Sequence, residues 1–485
     1  MRARLARMTR PHRIVVLAAA TGVLVGLAVA AFEQVVGRWL LEWTLERPTP
    51  ALFLAPAVGV ALAVVALRVL GPRATPALSD EYLTAYHERN GDVPARPFAA
   101  KTTAAALTLG LGGAGGFEGP SIYIGASVGA FVRRRFPRLL ADGDQRVLLT
   151  AGAAAGVAAI FKAPATGAVF SLEVPYQEDS AAHAVVPAIV AAATPYLTFV
   201  LFFGLGRLFP VSGTPPLDPK ELAGALAMGL LAGFGARGFS ALLRGAKRFA
   251  TVVAPWARVG ACGTGLALTA AVTYAVYDAP LSLGPGYGAI DWTRATTRSL
   301  GLLLLLLAVR AVATTLTIAA GGAAGLFIPL FVEGWLLGAM VETVLRSNTL
   351  LFPVIGAAAF LGAGFRTPIA AIVFVAEATG RPGFVVPALI ATAVAQLVMG
   401  RRSVTTAQLD RRVDPVRLRD RRPVTDAIGS VPDPIAPESP EVPVSATIGD
   451  ARRALAATQA PYVVVTDGPT VVGIVTPAAI LSLDP

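Results

Sequence analysis

Gly116-Phe117-Glu118-Gly119-Pro120 and Gly325-Leu326-Phe327-Ile328-Pro329 are two versions of one pattern in a single chain. Gly112-Gly113-Ala114 leads into the first and Gly321-Gly322-Ala323 into the second. Gly125 and Gly129 follow the first, Gly334 and Gly338 the second. A further pair of segments repeats at nearly the same separation. Phe161-Lys162-Ala163-Pro164 is followed by Phe170 and Glu173, and Phe365-Arg366-Thr367-Pro368 by Phe374 and Glu377. Two homologous halves, each with an apolar segment interrupted by glycine and proline, predict a transporter or channel whose site lies between them.

Composition sets the solvent. The 485 residues are 55% hydrophobic and only 15% charged, with a mean hydropathy of +0.65, which excludes an ordinary soluble domain. Uncharged stretches at 14–32, 48–67, 180–206, 260–277, 311–332 and 382–400 could each cross a bilayer. Segments 102–117 and 123–132 are short and glycine-rich. They read as partial or tilted helices buried in protein, because lipid cannot satisfy an interrupted backbone. The expected fold is an all-α polytopic membrane protein.

Charge sets the topology. The formal net charge is +11. Arg2, Arg4, Arg7, Arg10 and Arg13 precede the first apolar run; Arg401, Arg402, Arg411, Arg412, Arg417, Arg419, Arg421 and Arg422 follow the last. This places both termini in the cytoplasm of a cell (inner) membrane, with the arginines serving topology and lipid headgroups rather than nucleic acid. No small-residue cleavage site clearly follows the first apolar run, so it reads as retained. The lone Cys262 and the scattered His12, His87 and His183 give no metal-ligand spacing, and no metal or cofactor is expected.

The chain divides into an N-terminal tail (1–13), a first membrane repeat (14–206), a linker (207–221), a second repeat (222–400), a basic linker (401–423) and a terminal module (424–485). The 207–221 linker has no positive excess and belongs outside. Each repeat therefore crosses an odd number of times, and the two are inverted relative to each other. Pro432, Pro434, Pro437, Pro440 and Pro443 stiffen the approach to the terminal module. There a helix over 451–458, strands over 462–465 and 471–475 with a turn at Asp467-Gly468, and a closing helix over 476–482 make a small α/β unit.

Glu118 is the first functional candidate. A carboxylate at membrane depth costs roughly 2.5–3.5 kcal/mol even on the lenient insertion scale, so it marks function by default. Gly119-Pro120 is a natural helix start. The free N–H groups and positive end of such a helix bind anions without a cationic side chain. Residues 325–329 build the same feature from the opposite direction, so two helix N-termini meet near the midplane.

These residues resemble a known family. Gly116–Pro120 is similar to the GREGP/GKEGP motif of the CLC chloride channels and chloride/proton antiporters, Gly325–Pro329 to their GxFxP motif, and Phe161–Glu173 to their FNAPLAG…EE segment. The similarity spans about residues 50–405. It implies a CLC-type inverted repeat of tilted and partial helices, homodimeric, with one pathway per subunit for chloride or a similar monovalent anion. It makes Glu118 the gating glutamate. It puts a central anion on the amides of Leu326 and Phe327, and an external anion on those of Glu118, Gly119, Phe327 and Ile328. Phe117 stands on this pathway where the family has Lys or Arg, removing a positive charge. The family's pore serine has Thr75 or Ser79 as stand-ins, and its pore tyrosine aligns with Thr405 in Val404-Thr405-Thr406. The internal proton glutamate of many antiporters is Val174 here. The expectation is therefore voltage- or pH-gated anion transport, with a passive channel favoured and a chloride/proton antiporter as the alternative.

Other patterns are discounted. Gly110–Gly115 spells GxGxxG without a preceding strand, and small residues for helix packing explain it. Gly125-Ala126-Ser127-Val128-Gly129 spells GxSxG, which leaves an intramembrane hydrolase built on Ser127 as a remote alternative. Glu173 and Glu377 match between the halves and read as structural caps. The terminal module resembles a CBS domain through Val472-Gly473-Ile474-Val475-Thr476. An aspartate common to nucleotide-binding versions is Ala479 here, so the module is expected to stabilise a dimer rather than bind nucleotide.

Overall fold

The computed structural model of the protein describes residues 8–141, 143–204, 206–211, 218–295, 299–347, 349–405, 407–411, 423–431, 439–458 and 460–482. Arg2, Arg4, Arg7, Arg412, Arg417, Arg419, Arg421, Arg422, Thr406, Pro215, Pro216, Pro432, Pro434 and Pro437 lie outside the described residues. The chain forms two compact units, Met1–Asp410 and Arg411–Pro485.

The larger unit is helical, and its helices fall into two matching sets. The first set is α1 (Arg10–Leu45, π-helical over Glu33–Leu41), α2 (Thr49–Leu70), α3 (Ser79–His87), α4 (Pro97–Gly110), α5 (Glu118–Arg135), α6 (Asp144–Phe161), α7 (Pro164–Glu173) and α8 (Val185–Phe203). The second is α9 (Pro219–Val252), α10 (Pro255–Tyr277), α11 (Tyr287–Ala295), α12 (Leu300–Ala320), α13 (Phe327–Leu345), α14 (Leu351–Phe365), α15 (Pro368–Thr379) and α16 (Val385–Met399). Eight helices among the described residues are long and apolar enough to cross a membrane. Large apolar side chains such as Leu197, Leu201 and Leu397 stand exposed on them, as a lipid-facing surface requires. This is a multi-pass membrane protein.

Two expected boundaries are corrected. Segment 311–332 is not one span: α12 ends at Ala320, Gly321 turns the chain at φ 96°, and α13 begins afresh at Phe327. The run is apolar throughout, but two adjacent glycines remove the helix's cheapest continuation. The linker is also shorter than 207–221, because Asp218 accepts a bond from the Glu221 N–H and starts α9 at Pro219.

The repeated Phe-Lys/Arg-x-Pro segments are identical corners. Lys162 and Arg366 cap α6 and α14 in the left-handed conformation, at φ 53° and 60°. The next N–H groups, of Ala163 and Thr367, bond back to Ala158 and Gly362 carbonyls at 3.2 and 3.0 Å, a Schellman-type closure. Pro164 and Pro368 then open α7 and α15.

These two short helices cap each other. Glu377, near the end of α15, accepts from the Ala165 and Thr166 N–H groups at 2.9 and 2.7 Å. Glu173, ending α7, accepts from those of Ile369 and Ala370 at 3.2 and 2.7 Å. The exchange is reciprocal, the signature of a two-fold relation between the halves. Each carboxylate satisfies orphan donors at a helix N-terminus, which is the structural role expected of both.

Contacts fix which ends share a face. Arg10 bonds to Asp144 at 2.8 Å, Arg133 to Gln145 at 3.2 Å, Arg134 to Asp92 in the loop after the short α3 at 3.0 Å, and Asp80 to Lys247 and to Thr405. The starts of α1, α3 and α6 and the ends of α5, α9 and α16 therefore lie together. The Lys162 ammonium reaches the carbonyls of Phe203 and Gly206, so the ends of α6 and α8 meet on the other face. The first half thus starts and finishes on opposite faces, and the second returns the chain to the Arg10 face.

Glycines set the helix spacing. A Cβ on Gly125 would stand 2.1 Å from the Gly152 carbonyl, and one on Gly152 2.1 Å from that of Gly125. The Gly125–Gly129 pattern is thus a packing seam between α5 and α6. Ser127 lies inside a continuous helix, with no strand-to-helix elbow to present it as a nucleophile.

The smaller unit has a three-stranded sheet in the order β1 (Glu441–Pro443), β2 (Val463–Asp467), β3 (Thr470–Val475), with α17 (Ile448–Thr458) and α18 (Pro477–Ser482). β1 runs parallel to β2, and β3 antiparallel. The sequence reading missed β1, whose three residues include Pro443 in a proline-rich approach. It also set the turn one residue early: Asp467 ends β2, so the turn is Gly468-Pro469, with Gly468 at φ 58°. The Thr447 N–H and hydroxyl hold the Asp450 carboxyl below its usual range at the start of α17.

Two predictions follow from this packing. Glu377→Ala strips the donors at the start of α7 of their acceptor, at about 1–3 kcal/mol. Thermal unfolding of the detergent-solubilised protein should show a lower Tm; an unchanged Tm would remove the mutual-capping argument. Gly125→Ala should destabilise by about 1–3 kcal/mol through backbone displacement. Gly238→Ala, with nothing within 4 Å of the new methyl, should be neutral or stabilising in the same assay. Equal effects would refute the seam.

Candidate functional site

The two repeated loops cross at the centre of the larger unit. The Gly116 N–H donates to the Gly325 carbonyl at 2.9 Å, and the Gly325 N–H to the Gly116 carbonyl at 2.8 Å, an isolated antiparallel bridge. Thr317 accepts from the Ala114 N–H and Thr108 from the Ala323 N–H, both at 3.1 Å. Each threonine hydroxyl donates in turn to a carbonyl one turn earlier in its own helix, of Ala313 and Ala104. The crossing is thus stitched by four bonds in two symmetric pairs. Only glycine permits so close an approach, since a Cβ on Gly119 would lie 2.8 Å from both the Cα and N of Gly325.

Two helices begin at this crossing and diverge. α5 starts at Glu118 and runs to the Arg10 face. α13 starts at Phe327 and runs the other way, ending at Leu345. Their N-termini therefore converge, as the motif predicts. Glu118 and Phe327 occupy equivalent positions of the repeat, and they touch: the Phe327 N–H donates to Glu118 Oε1 at 2.5 Å. Glu118 is 1% exposed, and its Oε2 is buried without a partner. A carboxylate buried at this depth is costly, so the group is held there by the fold and the backbone donors around it.

Phe327 is fixed by the second repeated pattern. Its ring meets those of Phe161, Phe374, Phe170 and Phe365 at centroid distances of 4.8, 4.9, 5.4 and 6.3 Å. These are two repeat-related pairs closing on one ring. Tilted and edge-on contacts of this kind each contribute about 0.5–1.5 kcal/mol beyond area burial, and together they orient the amide toward Glu118.

The remaining candidates divide by position. Gly119 and Ile328 lie in the first turns of α5 and α13, beside the bridge. Phe117 is 3% exposed and packs edge-on against Phe32 at 6.3 Å, so its ring belongs to the hydrophobic core. Val174 is buried at the end of α7, and its carbonyl accepts from Gln408 at 2.9 Å; it offers no titratable group. Leu326, Thr405, Thr75 and Ser79 come together around a cavity of about 410 Å³ that ends beside the crossing. Glu118 and Phe327 are not among its walls, and Leu326, the residue before Phe327, is.

The cavity also carries three charges that sequence reasoning missed, Asp80, Lys247 and Arg258. Thr405 Oγ1 donates to Asp80 Oδ1 at 2.5 Å. The only available signal was an acidic residue opening a short helix and a lysine on an amphipathic one, both of which also describe solvated surface.

Comparisons with known proteins agree with this geometry. A family model described as voltage gated chloride channel matches residues 59–400. A protein named H(+)/Cl(-) exchange transporter ClcA from Cronobacter sakazakii is 29% identical over 83% of this chain and 90% of its own length. The protein of the same name from Klebsiella pneumoniae is 27% identical over 82% and 88%. A crystal structure of a CLC-type fluoride/proton antiporter superposes with a TM-score of 0.72 at 24% identity, covering 82% of this chain and 97% of that one. A eukaryotic CLC transporter superposes at 0.67 and 17% identity over 96% of this chain and 97% of its own. With a model match over most of the chain and the paired crossing loops at its centre, the protein belongs to the voltage gated chloride channel family, the CLC family.

Proposed function

We propose that the protein exchanges chloride, or a similar small anion, for protons across the membrane, with Glu118 as the gate. The observation that carries this is the buried Glu118 carboxylate seated on the Phe327 N–H, where the two helix N-termini converge. An ionised carboxylate there is itself an anion. It competes with a transported anion for the donors at the two helix N-termini, by occupancy and by like charge. Protonation cancels the charge and releases the Phe327 amide, and with it those of Gly119, Leu326 and Ile328, to an incoming anion. One group that alternates between binding a proton and surrendering a site to an anion couples the two movements in opposite directions.

The Val174 position favoured a passive channel. The relatives named as H(+)/Cl(-) exchange transporters favour the exchanger instead. The arginine-bearing face, with Arg10, Arg134 and Arg401, is assigned to the cytoplasm by the positive-inside rule. The family resemblance supports a homodimer with one pathway per subunit, and a CBS-like terminal unit serving assembly rather than nucleotide sensing.

The test is flux from purified protein in liposomes, with chloride and protons read together. A chloride gradient should drive protons uphill in the wild type. Glu118→Gln should move chloride without protons and without dependence on pH. Chloride flux that leaves protons at equilibrium in the wild type would make the protein a channel. A Glu118→Gln flux that still climbs with acid would remove Glu118 as the gate.

A further inference from the structure

The cavity on the Arg10 face is the approach to the crossing from that side. Two of its three charged wall residues, Lys247 and Arg258, are cations suited to drawing in an anion. The third, Asp80, lies in the first turn of α3 and occupies the donors such an anion would use. Its Oδ1 accepts from the Thr405 hydroxyl at 2.5 Å, and its Oδ2 from the Lys247 ammonium at 3.0 Å. Lys247 also reaches the Val404 carbonyl at 3.3 Å.

The arrangement repeats the logic of the crossing. In both places a carboxylate from the first half sits on donors from the second: Glu118 on the Phe327 amide, Asp80 on Lys247 of α9 and on Thr405 beyond α16. The neighbouring acid, Glu81, is engaged elsewhere. It is bound by Lys101 at 2.6 Å and also by Arg89, which holds α3 in place while leaving Asp80 turned to the cavity. The Asp80 and Lys247 side chains keep 25% and 34% of their exposure. The pair is therefore in screened surroundings, where a mobile anion can compete with it.

We propose that Lys247 and Thr405 form an anion-binding site at the mouth of the pathway, and that Asp80 is a tethered anion occupying it. Each transported anion must displace the Asp80 carboxylate before it reaches Leu326. The site rests on the anion-transport reading for its purpose but not for its chemistry, because a halide binds the same donors whether or not it then crosses.

The experiment pairs chloride titration by calorimetry on purified protein with chloride efflux from liposomes. Asp80→Asn, of nearly the same shape without the charge, should tighten chloride binding about tenfold and raise efflux at low chloride. Lys247→Gln should weaken binding by a similar factor, and the double variant should lose the gain of Asp80→Asn. Asp80→Glu keeps the charge and should bind chloride no better than wild type, which serves as the second readout if Asp80→Asn folds poorly. Unchanged or weaker chloride binding in folded Asp80→Asn would overturn the proposal and leave the pair as a staple between the halves. Tighter binding by folded Asp80→Glu would overturn it equally. If the wild type moves no chloride while Asp80→Asn still tightens binding, the transport reading fails and this site stands. If the wild type transports and binding is indifferent to Asp80, the reverse holds.

Discussion

One hydrogen bond, from the Phe327 amide to the Glu118 carboxylate, joins everything this structure does. It lies where the two halves cross, and it joins two residues that are equivalent by sequence. The pairs of bonds around it obey the two-fold relation: Gly116 with Gly325, Thr317 with Ala114 against Thr108 with Ala323, and Glu377 with α7 against Glu173 with α15. At this position the copies differ in chemistry. One supplies an acid, and the other supplies a bare amide under an aromatic ring.

That asymmetry gives the site its chemistry. Two convergent helix N-termini alone would be an open anion site. In the proposed function, filling it with an ionisable group makes its occupancy depend on a proton. The surroundings hold that group in place. Glycines let the backbones of the two loops touch. Four phenylalanines from the second repeated pattern lock the Phe327 ring and hence the direction of its N–H. The two repeated sequence patterns thus have separate tasks, one building the crossing and the other aiming its donor.

Much of this was readable in the sequence because it depends on residue types with few substitutes. Glycine pairs at 112–113 and 321–322, proline at the first turns, and a lone acid in an apolar run have narrow physical meanings, and they gave the inverted repeat, the converging helices and Glu118. The mutual caps at Glu173 and Glu377 were visible as matched positions. What stayed hidden depends on long-range geometry. The break within 311–332 was masked by an uninterrupted apolar composition, although the Gly325–Pro329 motif inside it required one. The short strand Glu441–Pro443 has its sheet partner across a whole helix. The cluster of Asp80, Lys247 and Thr405 unites residues 325 positions apart at the extreme, and nothing in the periodicity of any one segment marks them as neighbours.

The central claim is that the Glu118 carboxylate and a transported anion are alternative occupants of the Phe327 amide. A structure of the Glu118→Gln protein prepared in bromide, with the halide located by anomalous scattering, tests it most directly. The account predicts a bromide peak within hydrogen-bonding distance of the Phe327 nitrogen, in place of the side chain at 118. A crossing free of halide, with the Phe327 amide bonded to another protein group, would contradict it.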